Sequence, residues 1–373
     1  MMELYLANCR HFLDEDDLST TQQRFPGSNE WAEIYNLITT NTILVDRSQD
    51  IVLPYRFKLA EFNRLPTDLT NFDMSYADCC DRRASELIAK SKRLNLPIYV
   101  FYSGGIDSTL MIVALLRNLR PQDYDRIMVV MSLDSIRENP NFYYNHIRGK
   151  LQITSSDRMS MLFDKSCLIL AGEHNDQLFG TDVISEFSRQ FNFELIHEPY
   201  TREIITDFFI KVGLSESGAN IWFDLLDNHA KNAPCEIKTI FDFFWWLNFN
   251  FKWQSVFFRM LLRIDFEART HVDQEFVETY FHHFYSEDYF QKWSMINMNL
   301  KIKDNWSTYK WLAKDYIFDY TKDEIYRKEK QKAPSLFKLF LQKDTPTALT
   351  TDYKYLYDVD PAEIYVPNNS FVR

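Results

Sequence analysis

At residues 98–108 the apolar run Ile98-Tyr99-Val100-Phe101-Tyr102 breaks into Ser103-Gly104-Gly105-Ile106-Asp107-Ser108, after which a helical pattern continues to Leu119, just short of Pro121. No other stretch constrains the fold as much. A continuous apolar run of this length reads as a strand buried on both faces, as in a parallel sheet, and glycines leading straight into a helix are how such a strand begins its crossover. The neighbouring segments agree. Ala77, Ala84, Leu87 and Ile88 lie among charges in an amphipathic helix at 77–93, while 127–131 and 167–171 read as further buried strands. Short apolar strands alternating with helices predict an α/β fold with a mostly parallel sheet, at residues 75–215.

Two further units flank it. Residues 1–74 read as a small N-terminal module with a strand pair, 42–45 and 51–53, joined by a polar turn at 46–50. Residues 216–373 are expected to be a mostly helical substrate domain, because Phe, Trp and Tyr recur there at helical spacing, with Phe241, Phe244, Trp245, Phe257, Phe258, Leu261 and Leu262 as core faces. The run at 243–251 is uncharged but only nine residues long between Asp242 and Lys252, whereas a membrane span needs about 20, so it reads as a buried helix.

Glycine bears directly on function. Ordinary usage of about 7% would supply roughly 26 in a chain this long. There are eight, and Gly104, Gly105, Gly172 and Gly180 fall in two short motifs. The net charge of −11 argues against a surface for a nucleic-acid backbone. Five cysteines without a CxxC pair fit neither a disulfide framework nor a zinc cluster, which points to a reducing, cytosolic setting. The N-terminal residues Met1-Met2-Glu3-Leu4-Tyr5 show no basic region followed by an apolar stretch, so no signal peptide is expected.

The strand–glycine–helix turn is suited to phosphate: a helix N-terminus offers unpaired N–H groups and partial positive charge, and glycines let the backbone approach a polyphosphate. Ser103 and Ser108 add hydroxyl donors, and Asp107 makes chemical sense beside phosphates where a divalent cation lies between them. The chain has no GxxxxGK[ST] and no GxGxxG. Instead, Ser103-Gly104-Gly105-Ile106-Asp107-Ser108 resembles the SGGxDS signature of the PP-loop ATP pyrophosphatases.

A second segment, Gly172-Glu173-His174-Asn175-Asp176-Gln177-Leu178-Phe179-Gly180, is similar to the GEGADELFG stretch of the asparagine synthetases, with His174, Asn175 and Gln177 departing from it. The resemblance implies an adenine nucleotide α-hydrolase-like sheet domain that binds ATP through Tyr102, Ser103, Gly104, Gly105, Asp107, Ser108 and Gly172. It implies magnesium on Asp107 and Asp176, and Glu173 as the group that orients or deprotonates an attacking amine. Fainter similarities are the Leu261-Leu262-Arg263-Ile264-Asp265-Phe266-Glu267-Ala268-Arg269 segment and a late stretch ending Lys330-Gln331, which implies Lys330 as the catalytic lysine on the phosphates.

The glutaminase domain of full asparagine synthetases has an N-terminal cysteine nucleophile. Here the second residue is Met2 and 102 residues precede Ser103, so the expected nitrogen source is ammonia, a substrate amine or a separate amine-donating partner. The implied function is an AMP- and pyrophosphate-forming ligase that adenylylates a small carboxylic acid for attack by ammonia or an amine. Two alternatives remain open at this level. One is activation of a nucleobase carbonyl, against which the acidic charge and the lack of a sulfur-relay cysteine both count. The other is nucleotide binding without turnover.

Overall fold

In the computed structural model the described residues are 64–180, 183–261 and 272–331, together with Glu30, Glu33, Ile34 and 46–48. The strand pair expected at 42–45 and 51–53, the side chain of Phe258, and the segment from Leu262 to Arg269 lie outside them.

Five parallel strands form one sheet in the order β3-β2-β1-β4-β5: β1 Ile98–Phe101, β2 Ile127–Met131, β3 Gln152–Ser155, β4 Leu168–Ala171 and β5 Phe281–His283. Strand side chains alternate between two cores, as the period of two requires. Ile98, Val100, Ile127, Val129, Leu168 and Leu170 enter the larger core, whereas Val130, Ile169 and Phe281 enter a smaller one on the opposite face.

On the larger side lie α1 (Tyr76–Leu94), α2 (Ile106–Asn118) and α12 (Trp311–Thr321), with α2 touching both of the others. α1 begins with a Ser75–Asp78 capping box and ends on Asn95 in the left-handed region, φ 52°. The second face is closed by the residue 156–162 turn, α9 (Trp253–Arg259) and α10 (Gln274–Thr279).

The α/β reading and the parallel sheet therefore describe the molecule, with one extension. β5, beyond residue 215, comes from the segment expected to be mostly helical and pairs with β4. Its three residues, Phe281-His282-His283, are too few to show a strand pattern, and β3 (Gln152-Ile153-Thr154-Ser155) is a largely polar edge.

The remainder is helical: α4 (Asn175–Phe179), α5 (Val183–Gln190), α6 (Arg202–Lys211), α7 (Glu216–Lys231), α8 (Ile240–Trp246) and α11 (Asp288–Ile296). The apolar run at 243–251 is buried throughout, half in α8 and half in a π-helical turn, Leu247–Phe251. Phe241, Phe244, Trp245, Phe257 and Leu261 are core residues. No described helix is long and apolar enough to cross a membrane.

The described N-terminal residues dock on this helical part. Asp46 accepts from His229 Nε2 and Asn250 Nδ2, each at 2.8 Å, and the Arg47 guanidinium lies 4.3 Å from the Trp253 ring centre.

Candidate functional site

Successive strands run outward from β1 through β2 to β3, and then the chain returns to place β4 on the other side of β1. At such a reversal the loops leaving the two central strands diverge, one to each face, and open a crevice at the carboxyl ends. A cavity of about 470 Å3 occupies this place. Its walls are the loop after β1, the loop after β4, and a stretch of the helical part that includes Asn248, Val256 and Arg259.

The first loop is held open by its own hydroxyls. Ser103 N–H donates to Ser108 Oγ at 3.2 Å, Gly105 N–H donates to Ser103 Oγ at 3.3 Å, and Ser108 Oγ donates to the Gly105 carbonyl at 3.2 Å. Gly105 is the N-cap of α2 and has no side chain to close off that helix end. Gly104 sits at φ 83°, and a Cβ there would lie 2.5 Å from the Ser135 carbonyl oxygen and 2.7 Å from Glu138 Cβ, so the turn admits glycine alone. α3 (Leu133–Glu138) makes this contact, and Ser135 Oγ also donates to the Tyr102 carbonyl at 2.8 Å. Tyr102 lines the cavity with its hydroxyl buried, and that burial pushes its pKa up.

Gly172 brings the second loop against the first: a Cβ there would meet Met111 Cε at 3.2 Å and Ser108 N at 3.5 Å. This approach puts Asp107 and Asp176 around one cation. Lys310 Nζ lies 2.6 Å from Asp107 Oδ1 and 2.7 Å from Oδ2, and 2.6 Å from Asp176 Oδ1. The lysine side chain is fully buried, whereas the two carboxylates keep 20% and 28% of their surface open.

Neighbours fix the orientation of Asp107. Asn175 Nδ2 donates to its Oδ1 at 2.6 Å, Tyr76 OH donates to Asn175 Oδ1 at 2.9 Å, and Tyr285 OH donates to the Asp107 carbonyl at 2.7 Å.

The structure thus brings together Tyr102, Ser103, Asp107, Ser108, Gly172, Glu173 and Asp176 on the cavity wall, with Gly104 and Gly105 shaping the loop behind them. Glu173 is already engaged: its carboxylate pairs with Arg259 of α9 across the mouth of the cavity. Lys330 stands apart from the wall. It caps α13 (Glu324–Glu329), is fully buried, and its Nζ donates to the side chain and the carbonyl of Glu138, the residue that presses on Gly104.

The lysine that meets both aspartates is Lys310, which sequence reasoning missed. It precedes α12 in the left-handed region, φ 58°, and carries no motif; only the fold shows where its side chain goes. Asn175 was visible as a departure from a pattern, but its role depends on Tyr76, 99 residues away.

Carboxylate oxygens are the hard donors that magnesium takes, and magnesium is commonly bound by one or two carboxylates with substrate phosphates supplying the rest. Asp107 and Asp176 fit that requirement. No cluster of three His, Cys, Asp or Glu side chains suited to a metal occurs among the described residues.

Fold and site together define an α/β protein with a cavity of mixed polar and apolar lining at the switch point of a parallel sheet. Comparison with family models, with curated proteins and with solved structures returned no match.

Proposed function

We propose that this chain is an ATP pyrophosphatase of the PP-loop type that adenylylates a small carboxylic acid and passes the acyl group to ammonia or an amine, as an asparagine-synthetase-like ligase does. One observation carries the reading: an SGGIDS loop leaves β1 at the switch-point crevice, and its Asp107 meets Asp176 of the second motif on a single buried lysine.

The chain's own groups have distinct tasks in this scheme. N–H groups at the start of α2 and the hydroxyls of Ser103 and Ser108 hold the phosphates. A substrate carboxylate oxygen attacks the α-phosphorus, and the bond to pyrophosphate breaks. Lys310, fully buried behind Asp107 and Asp176, adds a preorganised positive charge beside the site that offsets the charge developing on that leaving group. The nitrogen then attacks the acyl carbon and AMP departs. Asp107 and Asp176 would hold magnesium, which supplies charge neutralisation on the phosphates when bound.

Titration calorimetry with Mg-ATP, followed by product analysis across a panel of small acids with ammonium, tests this. Binding that collapses in Asp107→Ala, with AMP and pyrophosphate as products, is the expected result. Unchanged affinity in that variant, or ADP and phosphate as products, overturns the reading; tight binding without turnover on any acid reduces it to nucleotide binding alone.

A further inference from the structure

Two of the three residues that depart from the second motif, His174 and Gln177, carry buried hydrogen-bond acceptors that meet no donor among the described residues, and both residues line the cavity. Their identity as acceptors follows from the network around them. Asn248 Nδ2 donates to two backbone carbonyls, those of Asp176 at 3.2 Å and of Gly180. Carbonyls accept only, so the amide nitrogen of Asn248 must face them, and its Oδ1 faces Gln177. Gln177 must then present its nitrogen to Asn248, at 3.2 Å, which leaves Oε1 as the orphan.

The same logic fixes the imidazole. His174 Nε2 lies 3.1 Å from the Trp253 carbonyl and must carry the proton it donates there. With the proton on Nε2, a second one on Nδ1 would be a buried donor facing no acceptor, so Nδ1 is a bare lone pair.

Both side chains are more than nine-tenths buried, His174 at 1% and Gln177 at 5% exposure. His174 is the N-cap of α4, at φ 76°, Gln177 follows three residues on, and both line the same cavity. A buried acceptor without a donor is destabilising, because it has lost its water without gaining a partner. Two beside one cavity define the complement of what it takes in: a small group rich in N–H.

We propose that His174 Nδ1 and Gln177 Oε1 form the seat of the nitrogen donor, a two-acceptor subsite for ammonium or a primary amine. This rests on the reading of the cavity as a site where an activated acid meets a nitrogen nucleophile, and it moves the holding of the amine from Glu173, which is paired with Arg259, to its neutral neighbours. His283 supplies an internal control. Its Nδ1 is likewise buried and unpartnered, with Nε2 2.8 Å from the Phe257 carbonyl, but it does not line the cavity.

The test is nitrogen NMR of the full chain labelled on histidine, without nucleotide, titrated with ammonium chloride, methylammonium, tetramethylammonium and potassium chloride. The His174 Nδ1 resonance should shift saturably with ammonium and methylammonium, but not with tetramethylammonium, which has no N–H, nor with potassium; His283 should stay in place.

Gln177→Met keeps the side-chain length, removes the acceptor, and should weaken ammonium binding about tenfold, the scale of one hydrogen bond to a charged donor. Its folding is checked by the unchanged His283 signal. No shift with ammonium, an equal response to tetramethylammonium or potassium, or full affinity in Gln177→Met overturns the subsite. Because no ATP is present, that failure leaves the nucleotide reading standing. Loss of ATP binding or of adenylylation, with the ammonium response intact, removes the ligase reading and leaves an amine site.

Discussion

Lys310 and Lys330 show how differently two buried lysines can be used. Among the described residues, Lys330 answers the carboxylate of Glu138 behind the glycine turn, whereas Lys310 answers two that face the cavity. Replacing Lys310 by Met leaves Asp107 and Asp176 opposed without their cation. Breaking a fully buried pair costs roughly 3–5 kcal/mol, and the open edges of these carboxylates bring the expected loss to about 2–3 kcal/mol. Urea unfolding measures it, and magnesium should restore part of the stability in the variant but add little to the wild type. Lys328, largely exposed and paired with Glu324 on its own helix, is the control: Lys328→Ala should change stability by less than about 0.5 kcal/mol. Equal effects at the two positions would mean that the aspartates need no internal cation.

At the scale of elements, β5 is fastened to α9 through imidazoles. His283 Nε2 donates to the Phe257 carbonyl, and the His174 ring packs edge-on to His283 at 4.7 Å. Burial pushes His283 down to about 3 from 6.5, and His146, between Phe142 and Tyr320, down to about 4. The folded protein therefore resists protons that the unfolded chain takes up below about pH 6.5, so the stability these histidines allow is complete above that pH and is lost as pH falls toward their folded values. Each contributes a slope of about 1.4 kcal/mol per pH unit within its window. The urea midpoint should fall from neutral pH to about pH 5, and His283→Gln, which retains a donor for the Phe257 carbonyl, should flatten the fall. An unaltered slope in that variant would place the acid sensitivity elsewhere.

Across the whole molecule, the sheet joins segments that read separately in the sequence. Phe281 is buried at the outer strand, in the core shared by Phe163, Ile169 and Phe257, and the Tyr280 carbonyl accepts from Ile169 N–H at 2.7 Å. Phe281→Ala should cost about 3–5 kcal/mol. Hydrogen exchange should show protection falling at β4 amides as well as at β5. Protection unchanged in β4 would show that the outer strand is not integral to the sheet.

How much could be read in advance follows a physical division. The strands β1, β2 and β4, the helix that follows SGGIDS, and the glycine turn itself were legible because each is determined locally: apolar side chains on both faces, a helical period, and a φ that only glycine accepts. The aromatic cores at Phe241, Phe244 and Trp245 were legible for the same reason. β3 and β5 were not, since a largely polar edge segment of four residues and three residues between helices become strands only by pairing with neighbours already in place.

The site divides likewise. Asp107, Asp176 and their two loops were named by motif, but Lys310, 203 residues from Asp107, acquires its position only when α12 packs on α2. Glu173 and Lys330 were identified by type, and their partners, Arg259 and Glu138, emerged with the packing of distant elements. The sequence by itself determined which backbone turns could cradle a phosphate, because turn geometry depends on a few adjacent residues. Tertiary structure alone decided which charges meet, since a charge pairs with whatever the fold brings within a few ångströms, and chain distance says nothing about that.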